Sequence, residues 1–246
     1  MQKNNRKSLL LNADLGEGFA YDADIMPLID IANIACGEHA GNLSTVQRTV
    51  AMAVNEGVAV CAHPSYPDRK NFGRLSFTMD RDALFDTLEL QLLRIQNTLL
   101  THGQTLRYIK PHGALYNDCA NDAALSTRFV EFCLTQNKQL TIIGLAGSTL
   151  LDIAQAHGMA VYAEAFIDRR YMACGKLAPR HEPGACIDDI DQACAQATQL
   201  AQHGQVITID QQLISLPVDT LCIHGDTASA LVLAQHVAKI LAPFRQ

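Results

Sequence analysis

Short apolar runs recur along the chain, each followed by polar residues or glycine and then by a longer segment with helical periodicity. Seven runs have the length and composition of buried strands: Ser8 to Ala13, Ile31 to Cys36, Val58 to Ala62, Leu106 to Lys110, Leu140 to Gly144, Met159 to Ala165 and Thr220 to His224. Apolar runs that alternate with helical segments are typical of repeated β-α units. The pattern therefore predicts an α/β fold with a parallel sheet of seven strands.

Amphipathic segments between these runs predict an outer layer of helices. The longest runs from Asp80 to Thr101, with apolar residues at helical spacing. The other predicted helices are Ser44 to Glu56, with Ser44 as the N-cap, Ala123 to Thr135, Thr149 to His157, Ile187 to His203 and Thr227 to Leu241. No linker divides residues 1–246, which predicts one domain. Periodicity leaves open whether the sheet closes into a barrel or stays a doubly wound open sheet.

Composition and charge argue against several classes of protein, among them nucleic-acid-binding and membrane-spanning proteins. Of 246 residues, 48% are hydrophobic and 18% are charged, and the formal net charge is −6. Because no Lys/Arg-rich run is present, we expect no nucleic-acid binding as the main role. No apolar stretch approaches the length of a membrane span, and the N-terminus lacks the pattern of a signal peptide, so a cytoplasmic location is predicted. The eight cysteines include no C-x-x-C pair, which favours reduced, buried thiols.

Polar residues follow the predicted strands at the end where both candidate architectures bind ligands. His39, His63, His112 and His224 all fall there, and Asp14 follows the first strand. Carboxylate and imidazole groups from separate strands are what a catalytic divalent metal needs, and Asp14, His63 and His112 have that composition, with His39 as a fourth candidate. The same residues could instead act as acid, base and hydrogen-bonding groups around a carbonyl without an ion. The residues alone leave both alternatives open.

Lys110 ends an apolar strand, where its charge needs either a ligand anion or an acidic neighbour. It is a candidate clamp for a carboxylate or phosphate, and the alternative is an ion pair with Asp14 or Glu164. The glycine turn Gly144 to Ser148 could face an anion, but the sequence contains no Walker A motif.

An ordered set of motifs resembles one known family. The motifs are LNADLGEG, ANIACGEHAGN, AHPSYPD with the following FGR, YIKPHGALYN, GLAGS, EAFIDRRY, LAPR with PGA, and IHGD, from about Leu10 to Val237. Together they resemble the LamB/YcsF family, which is the A subunit of the bacterial ATP-dependent 5-oxoprolinase. The resemblance implies a seven-stranded (β/α) barrel like that of glycoside hydrolases and polysaccharide deacetylases. It also implies opening of the lactam of 5-oxo-L-proline to L-glutamate with ATP hydrolysis, together with subunits B and C.

Three positions depart from the usual motifs of that family. Glu38 stands where Phe is usual, Asn42 where Asp is usual, and Ser65 where Gly is common. A carboxylate in the second loop could change the local charge, the affinity for a metal or a contact with another subunit.

The site prediction combines the strand-end residues with the resemblance. Predicted catalytic residues are Asp14, Glu17, Lys110 and His112; predicted substrate-binding residues are Asn12, His39, His63, Arg74, Glu164, Arg169, His224 and Asp226; and Asp14, His63 and His112 are the predicted ligands of a divalent metal. In the hypothesised mechanism Asp14 is the base on water, His63 and His112 hold a metal or the developing oxyanion, and Lys110 holds the substrate carboxylate or phosphoryl group.

Because the chain lacks a P-loop, ATP and its magnesium are expected to be handled with or by the partner subunits. Two other functions remain as alternatives. One is a stand-alone metal-dependent amide hydrolase such as a carbohydrate N-deacetylase, and the other is a non-catalytic binding or regulatory subunit.

Overall fold

The computed structural model describes residues 8–76, 78–225 and 229–245, and its centre is a closed barrel of seven parallel strands. The barrel strands are β1 (Leu10–Leu15), β2 (Ile31–Ala35), β3 (Ala59–His63), β4 (Tyr108–Ile109), β5 (Thr141–Leu145), β6 (Ala160–Phe166) and β9 (Thr220–His224), in that order. The barrel closes because β9 pairs with both β1 and β6. Of the two architectures that periodicity left open, the barrel is therefore confirmed.

Helices connect the strands and cover the barrel. They are α1 (Asp22–Ile25), α2 (Leu43–Glu56), α3 (Arg81–Thr101), α4 (Gly113–Asn121), α5 (Ala123–Gln136), α6 (Thr149–Ala156), α7 (Ile190–His203) and α8 (Ala230–Leu241). Three short 3-10 helices are Met26–Leu28, Arg69–Asn71 and Ala242–Phe244. In α3 the predicted apolar face is buried: Leu84, Leu88, Leu92, Ile95 and Leu99. Among the described residues, no helix is long and apolar enough to cross a membrane.

Two local predictions were wrong, and two elements were not predicted. The cap of α2 is Asn42, whose side chain accepts from the Thr45 N–H, and not Ser44. Strand β4 has only two residues, and Pro111, which cannot donate to a sheet, follows soon after. Helix α4 was missed because its nine residues are too short for a clear period, and the hairpin of β7 (Gln205–Ile207) and β8 (Leu213–Ser215) was missed as well. The last predicted helix begins at residues outside those described.

The barrel interior changes from apolar to charged along its axis. A small cluster of Ile31, Cys61 and Ile143, with Tyr108 stacked on Tyr162, packs between the strands. Nearer the carboxyl ends, the Asn12 side chain donates to Thr220 Oγ1 at 2.8 Å and accepts from Asn33 at 2.6 Å. The main hydrophobic core, in contrast, joins the strands to the helices. Polar groups inside the barrel are therefore concentrated toward the end where the cavity opens.

Candidate functional site

A cavity of about 410 Å³ lies at the carboxyl ends of the barrel strands. Strand ends and the loops after them supply one side of it, including Asp14, Glu17, His63 and His112. The segment after β6 supplies the other side, including Arg169 and Arg180, and His224 at the end of β9 also lines it. This is the position at which (β/α) barrels bind ligands.

On the first side, three histidines each have one ring nitrogen fixed by an outer partner. His63 Nδ1 lies 2.8 Å from the Lys110 carbonyl oxygen, and His112 Nε2 lies 2.9 Å from that of Phe72. His39 Nδ1 lies 2.9 Å from the Ser65 hydroxyl, which donates its own proton to a carbonyl. Because all three outer partners accept at these contacts, the facing nitrogens must donate. In the neutral ring the inner nitrogen then carries no proton.

These inner nitrogens converge on each other and on two carboxylates. His63 Nε2 lies 3.0 Å from His112 Nδ1 and 3.4 Å from Asp14 Oδ2. Glu17 Oε1 lies 3.5 Å from His112 Nδ1 and 3.3 Å from His39 Nε2. We call these five residues the histidine wall. Two unprotonated nitrogens facing carboxylates repel, so this wall needs a shared proton or a bound cation.

Burial favours the unprotonated form of two of these rings. The pKa of His39 and that of His112 are both lowered well below the ordinary value, mainly because burial disfavours the charged ring and because neighbouring histidines repel it. His39 stacks on His112 with ring centroids 3.7 Å apart. The two rings thus lie parallel at the base of the wall and keep their lone pairs directed inward.

The donor set fits a divalent cation. One ligand atom each from Asp14, Glu17, His63 and His112 lies within 4.8 Å of the other three. Ligands at the 2.0–2.1 Å of a tetrahedral zinc site are about 3.3 Å apart, close to the spacings in the histidine wall. Outer partners that fix the far nitrogen of each histidine are also typical of metal sites. These four residues could therefore hold a metal, which adds Glu17 to the predicted ligands.

Beneath the wall, Lys110 is buried between two carboxylates. Its Nζ lies 2.9 Å from Asp14 Oδ1 and 2.9 Å from Glu164 Oε1, and 3.1 Å from Cys222 Sγ. Although burial opposes both charges, Lys110 and His63 hold the pKa of Asp14 well below its ordinary value, and Asp14, Cys222 and Glu164 hold that of Lys110 well above. Lys110 therefore has the ion-pair role that the sequence offered as the alternative to an anion clamp.

The other side of the cavity carries a carboxylate–imidazole pair. His224 Nδ1 lies 2.6 Å from Asp168 Oδ2, and the ring stacks on Phe166. Burial lowers the pKa of His224, but Asp168 and Asp14 together outweigh burial, so the net direction is upward. His224 Nε2 faces Arg180 Nη2 at 3.3 Å, and Arg169 lies close by, lining the same cavity. We call Asp168, Arg169, Arg180 and His224 the arginine wall.

Close contact between two loops positions His112. Gly73, in the FGR motif, accepts from the Ala114 N–H through its carbonyl at 2.8 Å. A Cβ on Gly113, whose φ is +57°, would collide with that carbonyl oxygen. Glycine is therefore required at position 113, and this close approach holds the Phe72 carbonyl against His112.

Comparison with known proteins identifies the family. A model of the LamB/YcsF family matches residues 9–244. The chain belongs to the LamB/YcsF family. In agreement, a crystal structure of the lactam utilization protein from Thermus thermophilus is similar at 32% identity and a TM-score of 0.88, over 96% of each chain. The pneumococcal virulence factor StrH aligns at 9% identity and a TM-score of 0.51, over 97% of this chain and 83% of that one. That second similarity concerns the fold alone.

Most of the predicted site residues of this LamB/YcsF chain line the cavity. They are Asp14, Glu17, His63, Arg74, Lys110, His112, Arg169 and His224. Three do not line it: Asn12 lies deeper in the barrel, Glu164 is fully buried against Lys110, and His39 lies behind His112. Asp226 falls outside the described residues.

The three departures from the usual LamB/YcsF motifs have structural explanations. Glu38 pairs with Arg94 on α3 at 2.7 Å, outside the cavity lining. Asn42 caps α2, a role that Asn fills as well as Asp. Ser65 accepts from His39 and so fixes the proton of that ring. The departure at Ser65, and not the one at Glu38, therefore affects the histidine wall directly.

Sequence reasoning missed four residues that shape the site. Asn33 donates to Asp14 Oδ1 at 2.8 Å, Asp168 pairs with His224, and Tyr116 and Arg180 line the cavity. Asn33, Asp168, Tyr116 and Arg180 all belong to motifs that carry the family resemblance, and the first three also lie in or soon after predicted strands. Arg180 lies well beyond the sixth predicted strand, so its position in the chain gave no reason to place it at the cavity.

Proposed function

We propose that this chain is the A subunit of an ATP-dependent 5-oxoprolinase, which opens the lactam of 5-oxo-L-proline to L-glutamate together with subunits B and C. The observation that carries the proposal is the similarity, at 32% identity over 96% of each chain, to a lactam utilization protein. A cavity with carboxylates, imidazoles and a carboxylate–imidazole pair supports amide chemistry. The same residues also support the less specific proposal that the chain hydrolyses an amide bond.

A lactam is a poor electrophile, and ATP can activate it by phosphorylating the amide oxygen, which releases ADP. Water then adds to the ring carbon, the C–N bond breaks, and the resulting acyl phosphate hydrolyses to glutamate and phosphate. Since the sequence contains no P-loop, we assign the phosphoryl transfer to the partner subunits and the ring opening to this chain.

Glu17 is the best candidate for the base that takes the proton of water. Asp14 was the predicted base, but Lys110 holds its pKa so low that it is a weak proton acceptor. Glu17, in contrast, lies at the cavity surface, with its Oε1 against His39 and His112. Asp14 then stays ionised beside Lys110 and remains available as a ligand of a bound cation.

His224 is the candidate acid for the leaving nitrogen. The ring nitrogen of the opening lactam needs a proton as the C–N bond breaks, and Asp168 stabilises the protonated ring of His224 at the opposite side of the cavity. A divalent cation held by Asp14, His63 and His112 would polarise the reacting oxygen when bound, and the Glu17 carboxylate would still take the proton of water.

The donor set also favours a second candidate, a metal-dependent amide hydrolase that acts alone. Four ligand atoms within 4.8 Å of one another are the specific observation. That enzyme would release acetate from N-acetylated sugars without ATP and would lose activity in chelator.

The test compares substrates and cofactors with the purified chain. L-glutamate formation from 5-oxo-L-proline, and acetate release from N-acetylglucosamine oligomers, are measured with and without ATP, subunits B and C, and a chelator, with the magnesium of ATP controlled separately. Glutamate formation that needs ATP and both partners supports the proposal. Acetate release by the chain alone favours the second candidate, and no turnover of either substrate contradicts both.

A further inference from the structure

Neither guanidinium of the arginine wall forms an ion pair with a carboxylate of the described residues. The whole chain has a formal net charge of −6, so a local excess of cations is not a result of composition. Lys110, the other buried cation of the cavity, is already paired with both Asp14 and Glu164. Lys110 is therefore not available to hold an anion of the substrate.

Arg169 is buried, at 6% exposure, and forms no ion pair with the part of the chain that the structure describes. Its Nη2 donates to the Ala178 carbonyl, its Nε has no hydrogen-bond partner, and no carboxylate of the described residues lies within 4.0 Å. The adjacent acid, Asp168, has one oxygen on His224. Burying a guanidinium with so little compensation is costly, which favours a function for its charge.

Arg180 adds a second guanidinium to the same side. Its Nη2 lies 3.3 Å from His224 Nε2, and no ion pair joins it to an acid among the described residues. Both guanidiniums line the cavity across from the histidine wall. Asp188 and Asp189 line a neighbouring pocket together with both guanidiniums, but no carboxylate of the described residues lies within 4.0 Å of either one. Guanidinium is the side-chain group best suited to carboxylate and phosphoryl oxygens.

We propose that Arg169 and Arg180 form the subsite for an anionic group of the substrate, a carboxylate or a phosphoryl group, opposite the histidine wall. The inference rests on the proposed lactam function and adds which residues hold the anionic group of the substrate. It replaces Lys110 as the anion clamp. The reacting carbonyl then lies toward Glu17 while the charged end of the substrate lies on the arginine wall.

Binding of three probes to the isolated full-length chain tests this subsite by calorimetry. The probes are 5-oxo-L-proline, 2-pyrrolidinone, which has the same ring without the carboxylate, and inorganic phosphate. We expect 5-oxo-L-proline to bind at least about tenfold more tightly than 2-pyrrolidinone, and Arg180→Gln to remove that difference. Competition of phosphate with 5-oxo-L-proline would assign phosphoryl groups to the same subsite, and no competition would assign it to carboxylates.

The matched control is Arg170→Gln. Arg170 lies on the same segment but bonds Gln192 on α7 and does not line the cavity, so this variant should bind as the wild type does. Arg180 is exposed, and circular dichroism checks that its variant folds. Equal affinity for the two lactams, or unchanged 5-oxo-L-proline binding in Arg180→Gln, would overturn the subsite.

One further outcome distinguishes failure of the proposed subsite from failure of the proposed lactam function. If neither lactam binds, the lactam assignment fails, and phosphate and succinate then decide the subsite alone. Binding of either anion that Arg180→Gln weakens about tenfold would support an anion subsite for another substrate. Absence of such binding would overturn it.

Discussion

The two walls of the cavity are built by different means. The histidine wall comes from the ends of β1 and β3 and the loops after β1, β2 and β4, and each histidine has its outer nitrogen fixed by a neighbour. The arginine wall comes largely from the segment between β6 and α7, which isolated bridges join at Arg169 to Cys186 and at Tyr171 to Leu177. The first wall holds its reactive groups at strand ends and on short loops whose histidines are fixed by outer partners. The second places charge on a longer loop segment, as is common for substrate recognition.

Removing the buried ammonium group of Lys110, beneath the histidine wall, should have the largest effect on the free energy of unfolding. Lys110→Met leaves the buried carboxylates of Asp14 and Glu164 without their partner, which should lower the free energy of unfolding by about 3–5 kcal/mol. Urea denaturation measures this change in the free energy of unfolding. Lys138→Met, at an exposed position, is the control and should change little. Adding Glu164→Gln to Lys110→Met should recover part of the lost stability, because it removes one of the two unpaired carboxylates. A loss below about 1 kcal/mol for Lys110→Met alone would contradict the buried ion pairs.

A divalent cation should bind the histidine wall and not the arginine wall. We expect Zn²⁺ or Mn²⁺ to bind the purified chain and to raise its melting temperature. His63→Ala should weaken that binding at least about 100-fold because it removes a direct ligand. Calorimetry measures the affinity, and His157→Ala, an exposed histidine that follows α6, is the control. Equal cation affinity in both variants would exclude the proposed ligand set.

The pH profile should report the Asp168–His224 pair. Burial, Arg180, Asp14 and Asp168 act on His224, and Asp168 raises its pKa most. As the acid, His224 must be protonated, so ring opening should fall as pH rises through its pKa. Asp168→Asn should move this alkaline limb to lower pH and reduce turnover roughly 10-fold or more at pH 8, whereas Arg180→Gln should move it to higher pH. An unmoved limb in Asp168→Asn would remove His224 from the acid role.

The smallest effect is expected outside both walls. Glu38 and Arg94 form a partly exposed ion pair, so Glu38→Gln should change the free energy of unfolding by less than about 1 kcal/mol. Cation affinity and turnover should match the wild type. A weakened cation affinity in this variant would show that the loop charge acts on the histidine wall.

Sequence patterns predicted the barrel strands well because each strand combines a buried apolar run with a polar end. They also predicted Asp14, His63 and His112, which lie at or just beyond strand ends. Patterns could not show that Lys110 is paired, because its partners Asp14 and Glu164 are distant in sequence. For the same reason they missed Arg180, which reaches the cavity from the segment after β6. Local periodicity determines where strands and helices form, whereas closure of the barrel determines which side chains lie next to each other.

The most direct test of the central claim is L-glutamate formation from 5-oxo-L-proline by the chain assembled with subunits B and C and ATP. The wild-type chain is compared with Glu17→Gln, a substitution that keeps the shape of the side chain. We expect ATP-dependent turnover by the wild type and a loss of about 10²-fold or more in the folded variant. Equal turnover by both, or no turnover by the wild-type assembly, would contradict it.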